Sequence, residues 1–141
     1  MDHVTVVVTD LPVAISFFTA LGMTLEGEAS VEGKWVDRLC GLSGVQADIA
    51  MMKTPDGNGR IELTRYRNPA LSGAGPEFAP PNTLGIRQMM FEVDDIYATV
   101  SLLRTHGAEM IGEVVQYDDL YRLCYMRGPA GIIVALAESL S

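Results

Sequence analysis

The chain has 141 residues, 48% of them hydrophobic and 20% charged, with a formal net charge of −8. That length supports one compact domain with a real core, and the acidic balance argues against a nucleic-acid partner, whose phosphates attract basic patches. No apolar run approaches the ~20 residues of a membrane-spanning helix, the opening Met1-Asp2-His3-Val4 lacks the cationic start of a secretory signal, and two cysteines, Cys40 and Cys124, make no disulfide framework, so the expected setting is a reducing cytoplasm.

His3 to Thr9 is a β-branched run and predicts a buried strand. Asp10 then offers an N-cap carboxylate, and Pro12 falls in the first helical turn, where its missing N–H costs nothing. Ile15, Phe18 and Leu21 recur at helical spacing up to Gly22, a helix stop. Met23 to Glu32, Ala47 to Lys53 and Arg60 to Tyr66 are the next strand candidates, with a turn at Pro55-Asp56-Gly57-Asn58-Gly59. Arg67 to Thr83 has no periodicity and holds Pro69, Gly73, Gly75, Pro76, Pro80 and Pro81, so it reads as a long linker. Beyond it the pattern returns. Met89 to Val93 is a strand, Asp95 a cap, Val100 and Leu103 the inner stripe of a helix and Gly107 its stop. Glu109 to Val115, Tyr121 to Met126 and Ile132 to Ala137 are strands, with a turn at Gly128-Pro129-Ala130-Gly131.

The two halves are copies. His3 to Glu28 align without a gap on Gln88 to Glu113, a shift of 85 positions. Val8 then matches Val93, Asp10 matches Asp95, Ser16 matches Ser101, Gly22 matches Gly107, Gly27 matches Gly112 and Glu28 matches Glu113. The shared residues are the strand end, the helix cap and the helix stop of one supersecondary unit. Each half is strand, helix, then three strands. The expected organisation is a single domain of two βαβββ modules, residues 1–66 and 84–141, joined by a linker over 67–83. Paired, the modules predict an α+β fold in which eight strands curve into a cup with the helices outside, a concave place for a small-molecule ligand.

Equivalent positions hold different chemistry. His3 opens the first strand of copy one and Gln88 that of copy two. In the last strands, Arg60-Ile61-Glu62-Leu63 corresponds to Ile133-Val134-Ala135-Leu136. Glu62 alternates with Ile61 and Leu63 and therefore points away from the face they share. A carboxylate there needs a cation, a hydrogen bond or a proton.

With these residues the chain resembles the vicinal oxygen chelate superfamily, which includes glyoxalase I, methylmalonyl-CoA epimerase, extradiol dioxygenases, and fosfomycin and bleomycin resistance proteins. The paired modules, the His at the start of strand one, the Ile-Glu-Leu strand, Phe91-Glu92-Val93-Asp94-Asp95-Ile96 and Gly128-Pro129-Ala130-Gly131-Ile132-Ile133 carry the likeness over nearly the whole chain. The resemblance implies a divalent ion held by one residue from each of four equivalent strands: His3, Glu62, Gln88 and Ala135. Ala135 cannot ligate, which argues against standard glyoxalase I chemistry. His3, Glu62 and Gln88 form the implied metal set, for Mn, Fe, Co, Ni or Zn, with Glu62 also the implied catalytic residue. The leading expectation is a glyoxalase-like lyase, isomerase or epimerase acting on an enolisable carbonyl substrate. The alternative is a metal-free protein that binds a drug or metabolite, as bleomycin resistance proteins do. The resemblance also implies a homodimer.

Other residues have plainer readings. His106 suits a helix C-terminus, Cys124 and Cys40 small packed thiols, and Trp35, Tyr117, Tyr121 and Tyr125 either packing or the cup wall. Arg38, Arg87 and Arg122 are surface charges or holders of an anionic substrate tail. Met51-Met52 and Met89-Met90 put one sulfur toward each sheet face, and Asp118-Asp119 is a turn.

Overall fold

In the computed structural model, residues 1–72 and 78–141 are described; Gly73, Gly75 and Pro76 of the expected linker lie outside them. The chain divides into two compact units, Met1–Ala74 and Gly75–Ser141. The described residues form nine strands and three α-helices, an α+β fold in which each unit has its own mixed sheet.

The first unit runs β1 (Val4–Val7), α1 (Leu11–Ala20), β2 (Thr24–Glu32), α2 (Lys34–Cys40), β3 (Gln46–Lys53) and β4 (Arg60–Asn68). Its strands lie in the order β1-β4-β3-β2, with β1 parallel to β4 and the other pairs antiparallel. The Asp10 side chain accepts from Val13 N at 3.1 Å, the cap the sequence predicts. Gly22 takes φ +110°, which a side chain would strain. Leu11, Ala14, Phe17 and Phe18 are the buried face of α1, so the stripe is shifted from the expected Ile15, Phe18 and Leu21. The reason is geometric: positions 11, 14 and 18 share one face, whereas Ile15 and Leu21 sit at its margin and are only half-buried. This face packs on β3 and β4, where Ala50, Met52, Ile61 and Leu63 are buried. Phe17 and Phe18 meet edge to face, 5.2 Å between ring centres.

α2 is an element that periodicity did not show, because seven residues carry too little of it. Gly33 at φ +114° and Gly41 at φ +69° bound it. Asp37 pins the following loop by accepting from Gly44 N at 3.0 Å and Val45 N at 2.7 Å. Val36 packs with Val45, Ala47, Val31 and Tyr66. Tyr66 lies four residues from Glu62 on β4, so α2 sits on Glu62's face of the sheet, at its Tyr66 end.

The second unit runs β5 (Gln88–Glu92), α3 (Ile96–Thr105), β6 (Glu109–Met110), β7 (Val115–Tyr117), β8 (Tyr121–Arg127), a 3-10 turn (Pro129–Gly131) and β9 (Ile133–Ser139). Its order is β5-β9-β8-β6, with β7 also on β8. Asp95 caps α3 through Ala98 N at 3.0 Å. Ile96, Val100 and Leu103 are its buried stripe, and α3 packs on β9. The strand expected over Glu109 to Val115 is divided into β6 and β7, so the second sheet has five strands and the described total is nine, not eight. Asp118 turns the chain from β7 to β8 with φ +48°. No described helix is long and apolar enough to cross a membrane.

Candidate functional site

Register establishes which positions of the two units correspond. Thr5 pairs with Glu62, and Met90 pairs with Ala135. Met90 is the counterpart of Thr5 under the 85-residue shift, so Glu62 and Ala135 occupy the same place in their sheets. Next door on the adjacent strand, Glu62 has Met51 and Ala135 has Tyr125. The first unit holds a carboxylate at this place; the second holds a side chain with no accessible surface and no donor atom.

β1 and β4 bring His3 and Glu62 together. His3 Nε2 is 4.0 Å from Glu62 Oε2, the side chains being 30% and 21% exposed. That separation exceeds hydrogen-bond reach and leaves room for a third atom. Glu62 Oε2 accepts from the Thr5 hydroxyl at 2.7 Å and from the Thr64 hydroxyl at 3.3 Å. Both threonines lie on Glu62's face by strand alternation. Neither was singled out in the sequence, because Thr in a β-branched strand reads as strand propensity.

The other ring nitrogen is tied down as well. His3 Nδ1 is 2.7 Å from Asp2 Oδ2. Asp2 is held in turn by Arg60, whose Nη1 is 3.2 Å from Asp2 Oδ1 and whose Nη2 is 2.6 Å from Glu26 Oε1. The His3 hydrogen bond first, and the Arg60 charge second, keep the Asp2 carboxyl below its ordinary range. A carboxylate on Nδ1 favours the proton there and turns the Nε2 lone pair toward Glu62. The two flanking carboxylates, Glu26 first, raise Arg60 further above its already high value.

Gln88 opens β5 in the second unit and is exposed. Trp35, Tyr117 and Tyr121 are exposed, and Cys124 is buried. Burial pushes the Cys124 thiol up, the opposite of what a nucleophile needs. Cys40 is an exposed thiol, 3.9 Å from the Tyr66 hydroxyl. Burial first, then Cys40, raises the Tyr66 hydroxyl. His106 is the C-cap of α3. Arg122 is not free for an anionic tail: its Nη1 is 3.3 Å from Glu138 Oε1, and its guanidinium lies 5.7 Å from the centre of the Tyr97 ring.

A hollow of about 750 Å³ lies elsewhere, at the start of α1 on the sheet face that the helix covers, lined by Asp10, Leu11, Glu28, Ser30, Asp48 and Arg65. Its polar groups largely satisfy one another. Asp48 accepts from Ser30 at 2.7 Å and pairs with Arg67 at 3.2 Å.

Among the described residues no group of three His, Cys, Asp or Glu side chains is gathered as a metal would need. His3 and Glu62 are two suitable donors with a gap between them, and the Asp2 bond on Nδ1 is the outer support that metal-binding histidines use. The first unit therefore offers two candidate ligands for a divalent ion, one short of the three protein ligands that an open metal site uses.

Comparison with known proteins agrees with the topology. A glyoxalase family protein from Bacillus cereus is 52% identical, with a TM-score of 0.95 over 100% of this chain and 94% of that one. The Escherichia coli uncharacterised protein YaeR is 27% identical over 141 residues, 98% of this chain and 95% of its own. The fosfomycin resistance protein FosX of Listeria monocytogenes, solved with Mn(II), shares the fold at 11% identity and TM-score 0.62, over 100% of this chain and 89% of that one. The family model for the glyoxalase/bleomycin resistance protein/dioxygenase superfamily matches residues 1–136. The chain therefore belongs to the glyoxalase/bleomycin resistance protein/dioxygenase superfamily.

Proposed function

We propose that this protein is a glyoxalase-like enzyme for a small molecule with an enolisable carbonyl, working as a lyase, isomerase or epimerase. In this reading the two units act as one domain, and His3, Glu62 and Gln88 hold a divalent ion, one of Mn, Fe, Co, Ni or Zn. The observation that carries it is His3 Nε2 facing Glu62 Oε2 at 4.0 Å with Nδ1 secured by Asp2. A metal-bound FosX on the same fold supports a metal in this chain as well. A bound ion would supply Lewis acidity toward a substrate carbonyl.

The chain's own groups then have defined work. Oε2 of Glu62 is engaged by the two threonine hydroxyls. Oε1 is the oxygen left to take a proton from the carbon beside the carbonyl, and returning it to the neighbouring carbon gives isomerisation, whereas epimerisation requires a second proton donor on the opposite face of the substrate. The Thr5 and Thr64 hydroxyls hold Oε2 in place, which fixes the direction in which Oε1 points.

The test is calorimetric titration of chelator-stripped protein with Mn, Co, Ni and Zn, repeated with His3→Ala and Glu62→Ala. Stoichiometric binding lost in both variants is the expected result. No binding, or binding indifferent to both substitutions, overturns the metalloenzyme reading.

A second reading has its own support. Ala135 brings no donor to the place equivalent to Glu62, which favours a metal-free protein that binds a drug or metabolite. In both readings the ligand is a small molecule, and we propose a cytoplasmic homodimer.

A further inference from the structure

Among the described residues, the ion pairs of the arginines engage Arg60, Arg65, Arg67 and Arg122. Arg87 and Arg127, like the exposed Arg38 and Arg104, are in none among the described residues, although the chain carries a net charge of −8. Both line one small cavity in the second unit, at the end of the sheet where β5 and β9 begin and β8 finishes. Among the described residues its other walls are Ile86, Gly131, Ile132 and Ile133, none of them acidic.

The two guanidiniums are held differently. Arg127 Nη1 donates to the carbonyls of Ala79 at 2.8 Å and Gly131 at 3.1 Å, which fixes the side chain without neutralising it. Arg87 Nε is buried and has no hydrogen-bond partner among the described residues. A side chain on Gly85 would begin 3.5 Å from Arg87 Nη2, so the guanidinium lies close over that main chain, which takes φ +113°. A buried N–H without an acceptor is costly. Two like charges beside one apolar hollow add repulsion that water screens poorly there. An anion relieves both.

We propose that this cavity is an oxyanion subsite that admits one oxygen of a carboxylate or phosphate group. The oxygen accepts from Arg87 Nε–H, and Arg127 supplies the second positive charge. The size sets the limit. About 30 Å³ is the space of a single water-sized atom, so the rest of the acidic group and whatever carries it stay outside. The ligand class is a small organic acid or phosphate ester, or the acidic end of a larger molecule. The site stands on the second unit alone and is independent of any metal at His3 and Glu62.

The experiment is thermal unfolding of chelator-treated protein in potassium acetate or potassium phosphate against potassium chloride, at constant ionic strength. The wild type is expected to show a rise in Tm that grows with the logarithm of anion concentration above the dissociation constant, about 4 °C at ten times it. Whichever of the two anions produces the rise identifies the acidic group, carboxylate or phosphate. Arg87→Met is expected to lose the rise, and in chloride to unfold at the same temperature as wild type or higher, because the orphaned donor is gone. An equal rise in Arg87→Met marks general salt exclusion and overturns the proposal, as does no rise with either anion in wild type. If Arg87→Met does not fold, the Arg87 Nε–H resonance of the wild type decides: a saturable shift with acetate or phosphate supports the subsite, and an unmoved resonance overturns it.

Discussion

His3 turns its Nε2 toward the Glu62 carboxylate, 4.0 Å from Oε2, while Asp2 holds Nδ1 of the same ring at 2.7 Å. The ring is therefore oriented from behind, and the orientation has a signature. Neutral histidine in the wild type is expected to carry its proton on Nδ1. Asp2→Ala releases it to the intrinsically favoured Nε2–H form, which nitrogen-detected NMR of chelator-stripped protein distinguishes. The same variant is expected to bind a divalent ion roughly 10–100-fold more weakly. An unchanged tautomer would show that Asp2 does not orient the ring.

Thr5 places its hydroxyl 2.7 Å from Glu62 Oε2. Thr5→Val keeps the shape and the strand propensity and removes only that donor. Urea unfolding near neutral pH is expected to show a loss of about 1 kcal/mol, toward the low end for a bond to a charged group because the site is partly open to water. A neutral or stabilising result would mean that water replaces the hydroxyl fully.

Ala135 has no accessible surface, with Met90 and Tyr125 as its cross-strand neighbours. Ala135→Glu reproduces the residue of the first unit without its threonine partners. The metal-free variant is expected to lose about 3 kcal/mol or more, because the carboxylate must be buried unpaired or protonated. Its unfolding midpoint is expected to fall further as pH rises from 5 to 8. A midpoint equal to wild type would show that the site opens to water at little cost.

Asp48 lies below its ordinary carboxyl value near 3.8, held there first by the Ser30 hydroxyl and then by Arg67. A lowered folded value means that its stabilisation is fully present above the unfolded value and is lost as pH falls through the folded one. Asp48→Asn is therefore expected to flatten the acid limb of stability below about pH 4. Acid titrations of wild type and variant followed by circular dichroism check this; parallel acid limbs would contradict it.

Local signals in the sequence were sufficient for the plan of each unit. Caps at Asp10 and Asp95 and stops at Gly22 and Gly107 act within one helical turn, so they are readable in a short window. The duplication exposed Glu62 and Ala135 as equivalents, and strand alternation put Glu62 opposite Ile61 and Leu63. α2 was not legible, because seven residues fixed by flanking glycines and by the Asp37 carboxylate show little period. The division of the expected strand into β6 and β7 depends on pairing with β8, which a local pattern does not contain.

The site divides in the same way. His3 and Glu62 stood out through the equivalent positions of the two copies, which hold Gln88 and Ala135, and through the family resemblance. Thr5, Thr64, Asp2 and Arg60 became visible only once β1 lay parallel to β4, in a register that sets Thr5 against Glu62. Arg87 and Arg127 are forty residues apart in sequence and share a cavity only because β5 and β9 begin where β8 finishes. Residue chemistry and local geometry follow from neighbours along the chain, where caps, turns and alternation act. Which of those groups meet is set by strand pairing between distant segments, and no short stretch of residues contains it.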